Sequence, residues 1–182
     1  MASVKEAVDQ KQYLTFYLAG EEYAIGLLQV KEIIEYGVLT KVPSMPKSIR
    51  GVINLRGGVV PVVDLAVKFG LPESSMTRRT CIVIVEIEIE GEKSVVGVIA
   101  DAVNQVMNLS SEDIEPPPFF GTQVKADYLL GMGKVDKKFI QILDVNQVLS
   151  HDELPAIIRA KTVEAKEMVE PDGSKKEKGK SF

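Results

Sequence analysis

A chain of 182 residues with 45% hydrophobic side chains can bury the core of one domain or of two small ones. Its 22 Lys and Arg against 26 Asp and Glu leave a net charge of −4, which argues against a nucleic-acid binder that draws its affinity from cations clustered on phosphate. Cys81 and His151 are each the only residue of their kind, so an intrachain disulfide, a Cys/His zinc cage and a Cys/His or Ser/His nucleophile pair all but disappear from consideration.

The first twelve residues, MASVKEAVDQKQ, are polar and lack the apolar segment of a signal peptide, so residues 1–12 are expected to be a flexible N-terminus. No apolar run reaches the roughly 18 residues a membrane helix needs, and the expectation is a cytosolic protein whose partners are other proteins. Short apolar runs then alternate with Gly, Pro and charged breaks: YLTFYLA, YAIGL, GVINL, VVPVV, CIVIV, VVGVIA and FIQIL. Their length and their Val and Ile content predict strands. Between the second and third runs, GLLQVKEIIE spaces Leu27, Val30, Ile33 and Ile34 in a pattern that is part strand and part helix. Only DLAVKFG, DVNQVLS and the stretch from Asp152 onward read as helical, and these helices are expected to be short and peripheral. The last stretch is expected to give a C-terminal helix over 151–170, then a disordered charged tail over 171–182.

A weak internal repeat runs through the chain. GEEYAIGL from Gly20 reappears as GEKSVVGV from Gly91, with Gly26 matching Gly97. RGVINLRGGVVPVVDL from Arg50 aligns with LGMGKVDKKFIQILDV from Leu130, matching Gly51 to Gly131 and Asp64 to Asp144. Each half then supplies a hairpin, a connecting segment, a second hairpin and an Asp that opens a short helix. About five strands per half suffice for a small closed barrel, and closure removes the sticky edges that Val/Ile strands would expose.

Four segments in order, EEYAIGLLQVKEI, VPSMPKSIRGVINLRGGVVPVVDL, VVGVIADAV and EPPPFF, closely resemble the bacterial chemotaxis coupling family, CheW, across most of the span from Tyr13 to Leu149. The resemblance implies a mostly β fold of two SH3-like five-stranded β-barrels packed on a shared apolar seam. The domain would span 13–150, with sub-barrels near 20–75 and 80–149 and strand exchange between them left open. It also implies a non-catalytic, cofactor-free, metal-free adaptor in the cytoplasm, recruited to membrane-bound chemoreceptor clusters. Its partners would be the cytoplasmic tip of those receptors and the regulatory domain of a CheA-type histidine kinase, with no nucleic acid and no membrane insertion. In dilute solution a monomer is expected. On the same resemblance Val30 and Ile33, with Val103 and Val106 of the second half, would line a groove for the receptor's helical tip, joined by Glu32, Asn54, Arg56 and Gly57. The kinase-contact residues are not readable from the sequence.

Each singled-out residue also has a plainer reading. Arg56 can be the soluble tip of a tight turn, its glycines tolerating positive φ. It becomes a partner contact if Leu55 and Val59 lie over the seam between barrels, where it would pair with Glu32. Pro61, lacking an N–H, is expected at an edge or a barrel corner. Asp64 and Asp144 read as helix caps rather than catalysts, and Glu86, Glu88 and Glu90 as one solvent-facing stripe. Phe119 and Phe120 read as core. Two other classes stay open: an enzyme with a small-molecule site in the seam, and a single-strand nucleic-acid barrel stacking bases on Phe119 and Phe120 beside Lys125.

Overall fold

The computed structural model of the protein describes residues 10–117 and 124–150. Among the described residues, eleven strands form two sheets. One takes the order β8-β1-β2-β11-β10-β9 and is built from β1 (Lys11–Leu18), β2 (Glu21–Gly26), β8 (Ala102–Leu109), β9 (Ile114–Glu115), β10 (Leu129–Val135) and β11 (Lys138–Leu143). The other takes the order β3-β6-β7-β5-β4 from β3 (Val30–Glu35), β4 (Ile49–Leu55), β5 (Gly58–Val63), β6 (Cys81–Ile89) and β7 (Glu92–Ala100). Among the described residues, helices are limited to α1 (Leu65–Lys68), α2 (Val145–Ser150) and single 3-10 turns. The mostly β class read from the apolar runs is the observed one, and the six-stranded sheet gains its extra strand from the two-residue β9.

Each sheet curls around an apolar interior of its own. Tyr13, Ala24, Leu109, Ile140 and Ile142, with Met107, Ile114 and Val135, draw on all six strands of the first. Val60, Val62, Ile82, Ile84 and Ile99, with Ile34, Ile53, Leu55 and their neighbours, draw on all five of the second. A larger cluster lies between the barrels and takes side chains from both, among them Leu14, Phe16, Tyr23, Val83, Val85, Val98, Leu143 and Leu149. Phe16, Tyr23, Phe69 and Tyr128 cross it as a chain of rings with successive centroids 6.2, 6.1 and 6.1 Å apart, the first pair stacked and the next two tilted, within the range of separations aromatic pairs favour. The short helices are therefore not peripheral: Leu65 and Ala66 of α1 and Val145, Val148 and Leu149 of α2 are buried.

The repeat is visible in the backbone. Four hairpins turn on two residues with positive φ: Ala19-Gly20, Arg56-Gly57, Glu90-Gly91 and Asp136-Lys137, the mirror-image turn that matches strand twist. Gly51 and Gly131 occupy like positions for one reason. A Cβ on either would stand 2.6 Å from a neighbouring carbonyl, that of Thr40 or of Glu115 respectively. Asp64 and Asp144 do cap: Asp64 Oδ1 accepts from the Ala66 N–H at 3.0 Å and Asp144 Oδ1 from that of Gln147 at 3.2 Å.

The halves interleave. β1 pairs with β8 and β3 with β6, while parallel junctions join β5 to β7 and β11 to β2. Strands before and after residues 70–80 thus share both sheets. β1 begins at Lys11, paired with Leu109, so residues 11–12 are ordered strand within the stretch expected to be flexible. β5 is interior, between β4 and β7, so Pro61 does not mark an edge; it sits just before the two-residue ladder to β7 that starts at Val62. Expectations for residues 1–9, for Phe119 and Phe120, and for everything from His151 onward fall outside the described residues.

Candidate functional site

The spacing that left GLLQVKEIIE ambiguous is resolved by a β-bulge. Along β3, Val30 stands opposite Val85, Glu32 opposite Ile84 and Ile33 opposite Val83, with the register slipping at Lys31. Paired residues share a face of the sheet. Val85 and Val83 belong to the central cluster and Ile84 to the barrel interior, so Val30 and Ile33, three residues apart, face the seam together while Glu32 faces the barrel. β8 repeats the device. Val103 stands opposite Phe16 and Val106 opposite Leu14, both central-cluster residues, with the register slipping where Asn104 is inserted. A bulge re-aims side chains on an edge strand, and here two bulges turn four valine and isoleucine side chains toward one seam.

Each inserted residue is tied to a carboxylate. Lys31 Nζ lies 2.8 Å from Glu86, whose carboxylate this hydrogen bond holds below its usual range. Asn104 donates to Glu22 at 3.1 Å. The stripe of Glu86, Glu88 and Glu90 accordingly divides: Glu86 is half-buried between Lys31 and Lys93, while Glu88 and Glu90 are exposed.

Cys81, which nothing in the sequence tied to a site, connects the two edge strands. It opens β6 opposite Glu35 of β3, packs against the central cluster and hydrogen-bonds the Val103 backbone of β8. Burial pushes its thiol pKa up, and the Val103 hydrogen bond opposes that only in part. Val30 and Val103 are partly buried against the cluster, whereas Ile33 and Val106 remain 44% and 48% exposed.

Arg56 and Glu32 meet as a two-pronged ion pair, the guanidinium donating at 2.7 and 2.8 Å to the two carboxylate oxygens. These hydrogen bonds raise the guanidinium pKa. The turn beneath is fixed by Asn54, whose Oδ1 accepts from the Gly57 N–H at 2.9 Å, and by Gly57 itself at φ +84°. The pair does not stand over the seam, however. Leu55 packs into the interior of its own barrel, and Glu32 faces the same way. The hairpin therefore closes a barrel mouth, on the opposite face of β3 from Val30 and Ile33. Val59, 56% exposed, belongs to none of the apolar clusters.

Among the described residues no three His, Cys, Asp or Glu side chains are grouped to hold a metal ion, and no helix is long and apolar enough to cross a membrane. Buried Asp64 is spent on structure: besides its cap it accepts from the Ser74 N–H and hydroxyl at 3.2 and 3.1 Å, with Arg50 3.7 Å away.

The described residues thus form two interleaved SH3-like barrels with an apolar seam between bulged edge strands. Residues 12–153 match the CheW-like domain. The chemotaxis protein CheW of Klebsiella aerogenes is 36% identical over 152 residues, 84% of this chain and 89% of that one. CheW of Bacillus subtilis is 37% identical over 144 residues, 78% of this chain and 88% of that one. The crystal structure of the scaffolding protein TtCheW from Thermoanaerobacter tengcongensis matches with a TM-score of 0.70 at 35% identity, covering 78% of this chain and 89% of that chain. The chain belongs to the CheW family of chemotaxis adaptors.

Proposed function

We propose that this chain couples transmembrane chemoreceptors to a CheA-type histidine kinase, as a non-catalytic adaptor in the cytoplasm recruited to receptor clusters. The observation that carries the reading is the half-open apolar seam at which Ile33 and Val106 remain accessible beside Val30 and Val103. A helical receptor tip presents apolar side chains at i, i+3 and i+4, the pattern such a groove receives, with flanking charges setting its register. Asn54 and Gly57 shape the hairpin that holds Arg56 and Glu32 at the neighbouring barrel mouth, where they complete the rim of the receptor surface. A second surface holds the regulatory domain of the kinase, and the adaptor works by bivalency, raising the effective concentration of one partner beside the other.

The test is autophosphorylation by a CheA-type kinase with matched receptors, with and without this protein. Stimulation by wild type that a folded Arg56→Ala variant loses supports both the coupling and the rim. No stimulation by wild type overturns the coupling; equal stimulation by both overturns only the role given to Arg56.

A further inference from the structure

The two bulged edge strands correspond residue by residue. Val30, Glu32 and Ile33 of β3 stand opposite Val85, Ile84 and Val83 of β6, and Val103, Gln105 and Val106 of β8 stand opposite Phe16, Thr15 and Leu14 of β1. Val85, Val83, Phe16 and Leu14 all belong to the central cluster. The match fails at one position. Opposite the residue that follows the insertion, β6 places Ile84, buried in its barrel interior, whereas β1 places Thr15. Thr15 is fully buried, at 0% exposure. A hydroxyl there forgoes the stabilisation a second methyl would add, and it must find partners or cost free energy.

Its partner is the bulge itself. Thr15 Oγ1 accepts from the Gln105 N–H and donates to the Gln105 carbonyl, both at 3.3 Å. A bulge disrupts the ladder where the extra residue enters, and here a buried side chain meets both backbone groups of the residue beside it. On β3 the bulge is held through its own side chains instead, Lys31 by Glu86 and Glu32 by Arg56. On β8 the counterpart of Glu32 is the exposed Gln105, and the outer tie is that of Asn104 to Glu22. Without an anchor the extra residue can be absorbed elsewhere along β8, and a slip of one residue exchanges the faces of Gln105 and Val106.

On the receptor reading of the seam, we infer that Thr15 is a positioning residue for receptor binding. It touches no partner. Its buried hydroxyl fixes where the β8 bulge sits, and so keeps Val103 and Val106 turned toward the groove.

The test titrates a soluble receptor-tip fragment into the full chain by calorimetry. Thr15→Val keeps the side chain's shape and removes the hydroxyl, Thr15→Ser keeps the hydroxyl, and both are checked for folding by circular dichroism. Thr15→Val is expected to weaken binding roughly three- to tenfold, the share carried by the open half of Val106, and Thr15→Ser to bind within about twofold of wild type. Because Thr15 acts through Val106, Val106→Thr is expected to add less than about twofold in the Thr15→Val background, while Ile33→Thr keeps its full effect there. By NMR the Gln105 amide of wild type is expected to exchange slowly with solvent despite its place on an edge strand, and that of Thr15→Val to exchange rapidly. Thr15→Val binding as wild type does, Thr15→Ser failing as Thr15→Val does, an undiminished Val106→Thr effect, or rapid Gln105 exchange in wild type would each overturn the role of Thr15 and leave the receptor reading intact. Wild type that binds no tip would overturn that reading, and the role of Thr15 with it.

Discussion

The double variant Ile33→Thr/Val106→Thr isolates the open part of the seam. Threonine keeps the β-branch that suits a strand, while its hydroxyl must be desolvated at any contact. Ile33 and Val106 leave 44% and 48% of their surface uncovered. Full burial of such a side chain is worth about 1.5–3 kcal/mol, so covering what remains open on both amounts to about 1.5–2.5 kcal/mol, a roughly ten- to sixtyfold change in Kd. The fold should lose about 1 kcal/mol or less per site, because Val30, Val103 and the central cluster are untouched. Isothermal titration with a soluble receptor-tip fragment measures the first quantity and urea unfolding the second. Val59→Thr is the control: equally exposed, off the seam, and expected to leave Kd unchanged. A double variant that folds and binds the tip as wild type does, or a Val59→Thr protein that loses as much, would refute the reasoning.

Three further outcomes follow from the geometry. Arg56→Ala and Glu32→Ala should leave the urea midpoint nearly unchanged, since the half-buried Glu32 meets an exposed Arg56 in a pair that solvent screens, yet weaken receptor binding non-additively. The charge-swapped protein should recover binding if the pair merely braces the hairpin and fail if the partner reads the arginine itself. Gly131→Ala drives a Cβ to 2.5 Å from Ile114 and 2.6 Å from the Glu115 carbonyl, and should cost about 2–4 kcal/mol. Gly20→Ala meets nothing nearby and bears only the strain of φ +82°, at about 1 kcal/mol; equal losses in denaturant would contradict this. Burial, with help from Glu21, pushes the Tyr23 hydroxyl up to about 12 from 10.0. A pKa raised on folding means a contribution intact below about pH 10 that is lost as pH rises through about 12. Tyr23→Phe should flatten the alkaline limb of stability against pH, and an unchanged limb would show that another group causes it.

Interior strands were legible because a strand buried on both faces writes an unbroken apolar run, as CIVIV and VVGVIA do. The edge strands β3 and β8 were not. β8 reads AVNQVMNL, half polar because half of it meets water, and its i, i+3 valines follow neither a strand nor a helix template until the bulge at Asn104 is known. A bulge is a property of pairing, and pairing is not written in one strand. The same holds for β9, two residues long and defined only by its partner β10. Arg56 meeting Glu32 was legible as opposite charges flanking one apolar region. That Leu55 turns into its own barrel was not, because alternation gives the two faces of a strand without saying which one a second barrel covers. Cys81 was silent for another reason: its place depends on β3, β6 and β8 converging, and only the fold supplies that.

The interleaving also bears on how a coupling protein can work. Among the described residues each barrel interior has five buried members, whereas the cluster between the barrels has 23. Most of the apolar burial therefore belongs to neither barrel alone. Opening one barrel would expose the shared cluster and cut a parallel junction, β11–β2 in one barrel or β5–β7 in the other, each of which joins strands of both halves, so neither barrel has an inexpensive way to unfold by itself. β3 and β8, the strands proposed to hold the receptor, lie directly on that cluster through Val30 and Val103. A close-packed core transmits strain rather than absorbing it. In the proposed coupling role, a displacement imposed along the seam would move the two barrels as one body, and what reaches the kinase would be a change in position and angle rather than a change in the adaptor's own fold.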